Sequence, residues 1–259
     1  MNVAKNIFTY RGRQLAAMTL AQIAALPDKA RATVLVITGA IEQHGPHLPV
    51  AVDALLGEAW LIRIFAQLPP SAPCYVAPPI TIGKSNEHTG FPGTLSISKE
   101  TLRAQLLALA RQLHAWGFRR LAVINTHGGN AAVVTYVLRE IALTFAMRAE
   151  ILRPKFDFGL VPQEAKYGYH AGELETACLL AVAPQHVDMA QARCEFPARL
   201  DDPGLLRPEA APARFAWVSA DVSASGIMGD ATAATRANGE RWLAHGAERF
   251  AAAILALSD

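Results

Sequence analysis

Short apolar runs alternate along this chain with longer stretches in which apolar positions recur every three to four residues. Residues 33–38, 75–80, 121–125 and 150–156 read as strands, because brief β-branched runs suit a sheet covered on both faces. Residues 54–68, 100–116 and 131–147 carry helical spacing, and 173–183 and 231–257 predict two further helices. This rhythm predicts an α/β fold with a mostly parallel central sheet. A shorter helix is expected within residues 15–26, where Thr19 and Gln22 have the form of a capping box, Ile23 and Leu26 give an apolar face, and Pro27-Asp28 ends the segment. Pro197, Pro203, Pro208 and Pro212 mark an irregular excursion across residues 196–213. It does not read as a domain boundary, so residues 1–259 are expected to form one domain.

Composition narrows the classes. Hydrophobic residues make up 52% of the 259 and charged residues 18%, which argues for a compact protein with a sizeable core. The net charge of +2, from 24 basic and 22 acidic residues, is not gathered into any Lys/Arg stripe, so no nucleic-acid partner is expected. No run approaches the ~18 apolar residues of a membrane span, and the segment after Arg11 and Arg13 is read as a helix, not a signal peptide. The expectation is no membrane partner and a cytoplasmic location. Cys74, Cys178 and Cys194 are odd in number and far apart, and read as reduced thiols, mostly packed.

In open α/β sheets ligands sit beyond the carboxyl ends of the strands, and there the sequence is unusual. After the first strand comes Glu42-Gln43-His44-Gly45-Pro46-His47-Leu48-Pro49, followed by Asp53. Mixed carboxylate and imidazole ligands suit Zn, Mn or Fe(II), and Asp53 is the candidate to bridge two ions because a carboxylate has two oxygens. Alternation in an extended segment sends Glu42 and His44 to one side. The third strand runs into His127-Gly128-Gly129-Asn130, an imidazole with glycines clearing room beside it and with N–H groups free for an anion or a carbonyl. Asn130 is placed equally as helix cap or as substrate contact.

Two further clusters complete the set. His170-Ala171-Gly172-Glu173-Leu174-Glu175 opens a helix; His170 is a candidate proton shuttle, and at most one of Glu173 and Glu175 faces the site. Ser85, Glu87 and His88, in Gly83-Lys84-Ser85-Asn86-Glu87-His88, belong to a substrate-side loop or to a structural turn. That segment is not a P-loop, since Pro78 stands where the first glycine should, and Ser85 lacks the second glycine of a nucleophile elbow.

Taken together, Glu42 to Pro49, the loop at 85–94, His127-Gly128-Gly129-Asn130 and His170-Ala171-Gly172 resemble the creatininase family of metal-dependent amidohydrolases. The resemblance spans roughly Thr19 to Ala181 and weakens in the last third of the chain. It implies a three-layer α/β/α sandwich, a homo-oligomer that is usually a hexamer, and a centre of two divalent metal ions, Zn with Mn or Fe, held by Glu42, His44, Asp53 and His127. Enzymes that open creatinine carry an aromatic residue and an acid where this chain has Gly128 and Gly129, which leaves Glu175 as the replacement ligand. They also close tryptophans over the substrate, and no Trp occurs here between Trp116 and Trp217. The His-Gly-Gly-Asn form is more similar to members that cleave formamides or peptide-like amides, including mycofactocin precursor peptidases.

The expected activity is hydrolysis of a small or peptide-like amide, with the ions activating water and polarising the carbonyl, His170 protonating the departing nitrogen, and Gly128, Gly129 or Ser85 steadying the substrate. A serine hydrolase built on Ser85 and a non-catalytic metal-binding protein are the alternatives; chelation separates the first from a metalloenzyme, and turnover of an amide excludes the second.

Overall fold

The computed structural model describes residues 11–197 and 216–257. Four strands form a parallel sheet in the order β2-β1-β3-β4: β1 is Thr33–Thr38, β2 Cys74–Val76, β3 Arg120–Asn125 and β4 Arg148–Ile151. β1 lies centrally, in register with β3 from Thr33↔Arg120 to Thr38↔Asn125, and all six of its residues are buried. The alternation of its side chains sorts them between two layers. Leu35 and Ile37 pack with Ala122 and Ile124 against α2 (Val52–Gln67) and the last helix, α8 (Arg236–Ala256), through Leu61, Ile64, Phe250 and Ile254. Val34 and Val36 point the other way, with Leu121 and Val123, onto α3 (Lys99–Ala115) and α4 (Ala131–Phe145), through Leu102, Leu106, Val134 and Ile141. The result is helix, sheet, helix, as expected of an α/β chain whose two central strands are buried on both faces along their apolar stretches.

Four boundaries differ from expectation, each for a local reason. β2 stops at Val76, short of residue 80, because Pro78 and Pro79 have no N–H to give to the ladder; pairing returns only at Ile80, whose N–H donates to Ile37 O at 2.9 Å. β4 begins at Arg148 and its last link is Leu152 N–H to Val123 O at 2.8 Å, after which Pro154 prevents continuation to 156. Residues 15–26 divide into a 3₁₀ turn, Leu15–Ala17, and α1, Leu20–Ala25, because Thr19 adopts an extended backbone to cap α1. The capping box is present in full: Gln22 N–H donates to Thr19 Oγ1 at 3.3 Å and Thr19 N–H to Gln22 Oε1 at 2.8 Å. Likewise Thr235 caps α8 by accepting from Asn238 N–H, so the last helix starts at Arg236 and not at 231. The excursion expected at 196–213 lies, from residue 198 onward, outside the described residues.

Beyond the sheet, α5 (Pro162–Tyr167), α6 (Glu173–Val182) and α7 (Ser219–Val222) gather at the carboxyl end of the strands, with a two-residue antiparallel pair, β5 (Cys194–Glu195) with β6 (Gly229–Asp230). Cys74 and Cys178 are buried and Cys194 is exposed, all three as free thiols. No helix among the described residues is long and apolar enough to cross a membrane.

Candidate metal centre

Three chain segments converge where β1 and β3 end. The loop after β1 is held at both margins: Leu95 N–H donates to Ile41 O and Glu42 N–H to Val50 O, each at 2.8 Å. Asp53 sits in the first turn of α2, where the positive end of the helix favours a carboxylate. The exit of β3 is stitched to the same place, for Thr126 Oγ1 donates to Asp53 O at 2.8 Å and Thr38 Oγ1 to Asn125 Oδ1 at 2.8 Å. Sheet register therefore fixes the separation of the side chains that follow.

Three imidazoles repeat one arrangement. His44 Nδ1–H donates to Glu42 O at 3.1 Å, His127 Nε2–H to Lys84 O at 3.0 Å, and His170 Nε2–H to Gln43 O at 2.8 Å. A carbonyl can only accept, so each outer nitrogen carries a hydrogen, and each inner nitrogen is left to offer its lone pair to a proton or a cation. Those lone pairs face carboxylates. His44 Nε2 is 3.7 Å from Asp53 Oδ1 and 3.6 Å from Glu175 Oε2; His127 Nδ1 is 3.3 Å from Glu42 Oε1 and 3.4 Å from Asp53 Oδ2; His170 Nδ1 is 3.8 Å from Glu42 Oε1. Among the described residues Glu42 Oε2, His44 Nε2 and Asp53 Oδ2 are buried without a hydrogen-bond partner. Lone pairs aimed at carboxylates across 3.3–3.8 Å repel unless something positive lies between them. Two sets of atoms are compact enough to hold a cation: Glu42, Asp53 and His127, and His44, His170 and Glu175; a third combination joins Glu42 to His88 and His170.

Titration follows the same logic. Burial works against the charge on Glu42, but His127, His88 and His170 outweigh it and hold the carboxyl well below the usual range. Burial, then Glu42, push Asp53 well above it. Burial would lower His127, yet Glu42, Asp53 and Glu87 raise it to about 10. His170, buried and beside His44, is pushed down to about 4, and burial also raises Glu175. Carboxylates thus crowd here beyond what the imidazoles neutralise.

The other sequence candidates fall around this cluster. Glu87, His88, Gly128 and Gly129 line, with Glu42, His127 and His170, a cavity of about 240 Å³. Gly129 is required by close approach, since a Cβ there would lie 2.2 Å from Glu87 Oε1 and 2.3 Å from Lys84 O. Ser85 is wholly buried with Oγ 3.1 Å from His127 Nε2, but that nitrogen's hydrogen points at Lys84 O, so it is no base for the hydroxyl. Asn130 makes no side-chain cap to α4; it accepts from Lys84 N–H and donates to Gly39 O, both at 2.9 Å, bracing two loops. Glu173 turns away toward Asn238, leaving Glu175 as the acid of that helix beside His44.

Two residues went unremarked in the sequence. Gln43 Nε2 lies 2.9 Å from His88 Nδ1, 3.0 Å from His170 Nε2 and 3.2 Å from Gly226 O, at the hub between imidazoles. Trp217 forms a cavity wall with Tyr169 and Leu174, its ring edge-on to Tyr169 at 6.4 Å. No periodicity announces either, since both act from irregular segments. A larger cavity, about 670 Å³, lies away from this centre beside Arg13, whose guanidinium is taken up by carbonyls of Pro69, Pro70, Ala72 and Cys74.

Residues 16–254 match the family model for creatininase, creatinine amidohydrolase. The chain is 37% identical over 212 residues to the mycofactocin precursor peptide peptidase of Mycolicibacterium smegmatis, covering 80% of this chain and 78% of that one. It is 28% identical over 222 residues to the creatinine amidohydrolase of Pseudomonas putida, covering 78% and 80%. Among solved structures, a crystal structure of creatinine amidohydrolase superposes with a TM-score of 0.75 at 26% identity, covering 93% of this chain and 96% of the other. A chain described as "Creatininase Mn" gives 0.72 at 27% identity, covering 93% and 97%.

Proposed function

Because the chain belongs to the creatininase family, we propose that its carboxylate–imidazole cluster holds two divalent cations and directs the hydrolysis of amide C–N bonds at a peptide or peptide-like substrate. The chain is a metal-dependent hydrolase of that family; the number of ions, their identity as Zn, Mn or Fe, and the substrate are the proposed part. The observation that carries the reading is the common orientation of His44 and His127, each with its outer N–H on a carbonyl and its inner nitrogen toward buried acids. That pattern is how proteins orient imidazoles for a metal.

Glu42 and His127 would hold one ion, His44 and Glu175 the other, and Asp53, with one oxygen toward each set, would join them. When bound, such ions supply Lewis acidity to a carbonyl and to water. His170 holds its Nε2–H on Gln43 O, so Nδ1 is the atom that takes up and returns a proton, serving the departing nitrogen. Glu87, His88, Gly128 and Gly129 form the substrate side of the cavity, with Ser85 and Asn130 bracing the loops behind them. Because the cavity reaches Glu42 and His127, the cluster is open on one side, as catalysis requires and a closed structural site does not. The apolar wall of Trp217, Tyr169 and Leu174, and the nearer likeness to a peptide peptidase than to creatinine amidohydrolase, favour a peptide. We further propose a cytoplasmic homo-oligomer, a hexamer by family resemblance.

The test is a screen of protein reconstituted with Zn, Mn or Fe against short peptides, formamides and lactams including creatinine. Turnover that is highest for peptides, is lost on chelation and returns with metal supports the reading. Full turnover by exhaustively chelated protein would overturn it.

A further inference from the structure

We infer that Glu164 is the positioning residue that sets His170 and Glu175 as one unit at the centre, an inference that rests on the two-cation reading above. Glu164 touches none of the inward-facing atoms. It lies on α5, only 1% exposed, and both carboxylate oxygens are engaged by backbone: Oε1 accepts from Glu173 N–H and Oε2 from Asp230 N–H, each at 2.8 Å. Its own carbonyl accepts from Gly168 N–H at 2.7 Å. One residue therefore fastens both ends of the segment that carries His170, together with the strand behind it.

The surroundings are shaped to that carboxylate. A Cβ at Gly168 or Gly172 would lie 2.1 or 2.3 Å from Glu164 side-chain atoms, and one at Gly229 would lie 2.8 Å away. Three glycines drawn from two segments thus enclose one acid. Between them Ala171 has φ +54°, a left-handed conformation that alanine keeps only where neighbouring contacts over-determine it. The turn at Ala171 does two things for the centre. Its N–H donates to Glu175 Oε2 at 2.6 Å, orienting that carboxylate toward His44, and the preceding residue, His170, pairs with Met228, whose N–H donates to His170 O at 2.8 Å. Asp230, held by Glu164, is two residues beyond Met228. A carboxylate suits this post and an amide does not, because two N–H donors converge on it and a glutamine would turn its own NH₂ toward one of them.

The experiment is cobalt titration of the full chain, followed by visible absorption, for wild type, Glu164→Ala, Glu164→Gln and the control Leu106→Ala, which loosens the core on the far side of the sheet, with melting curves for each. Wild type is expected to take up two equivalents. Glu164→Ala should bind the first equivalent near normally and the second about tenfold more weakly or worse, the usual effect of losing an outer partner of a metal ligand, with an altered spectrum and a fall in kcat larger than any change in KM. Glu164→Gln, which keeps one of the two bonds, should fall between and carries the test if the alanine variant does not fold. Leu106→Ala should melt lower yet keep both equivalents. Titration of both Glu164 variants like wild type overturns the inference alone, as does loss of the second equivalent by Leu106→Ala at an equal drop in melting temperature. A wild-type protein that takes up no cobalt overturns the two-cation reading, and this one with it.

Discussion

Glu42 Oε1 and His127 Nδ1 stand 3.3 Å apart although they leave different strands, and without a cation that pair favours a proton on the imidazole. His127 is raised to about 10 and Glu42 is lowered, so near neutral pH a metal must displace the Nδ1 proton to bind. Burial, then Glu42, push Asp53 upward as well, a shift that acts in the same direction. The sign follows: affinity rises with pH, by at least about one decade per pH unit below about 10, and binding releases protons. Calorimetry of zinc or manganese binding at pH 6 to 9, in buffers of different ionisation enthalpy, measures both. A flat profile with no proton release would contradict the arrangement.

Asp53→Ala should remove metal binding and turnover while leaving the metal-free fold at least as stable. The acid lies in a buried place that raises its pKa, so its charge costs the fold more than it returns until a cation arrives. Metal content, with melting temperature measured with and without zinc, separates the two effects. A fully active, metal-replete variant would end the bridging role.

Gly129→Ala is expected to lower turnover by at least about tenfold, a misplacement effect of the kind that shifted catalytic groups produce. The added Cβ would lie 2.3 Å from Lys84 O, the carbonyl that orients His127, and 2.4 Å from His127 Nε2 itself. Steady-state kinetics beside metal content gives the readout. Unchanged activity would show that the loop at 84–88 yields without moving His127.

Leu106→Ala should cost about 2–5 kcal/mol in equilibrium unfolding, because a wholly buried leucine between helix and sheet leaves a cavity the layer cannot close. Urea denaturation at fixed metal load measures it. A loss under about 1 kcal/mol would mean that the layer collapses around the gap.

Much of this was legible before any coordinates. β1 and β3 are runs of Val, Leu and Ile buried on both faces, which single-sequence patterning finds readily. The metal candidates were visible for a related reason: Glu42, His44 and His127 follow those strands directly, so strand ends and chemistry are read together. Edges were less legible, since Pro78, Pro79 and Pro154 act on hydrogen bonds to a neighbour that the sequence does not name. Glu164 and Trp217 escaped notice because each works across the fold, through backbone N–H groups or a ring face, and carries no local signature.

The unbroken pairing from Thr33↔Arg120 to Thr38↔Asn125 has a consequence for selectivity. Glu42 and His127 inherit their spacing from a rigid lattice of backbone bonds, whereas Trp217 and the loop at 84–88 hang from irregular segments outside it. Substitutions at Trp217 or in the loop at 84–88 are therefore expected to change which amide fits the cavity while the spacing of Glu42 and His127 stays as the lattice sets it.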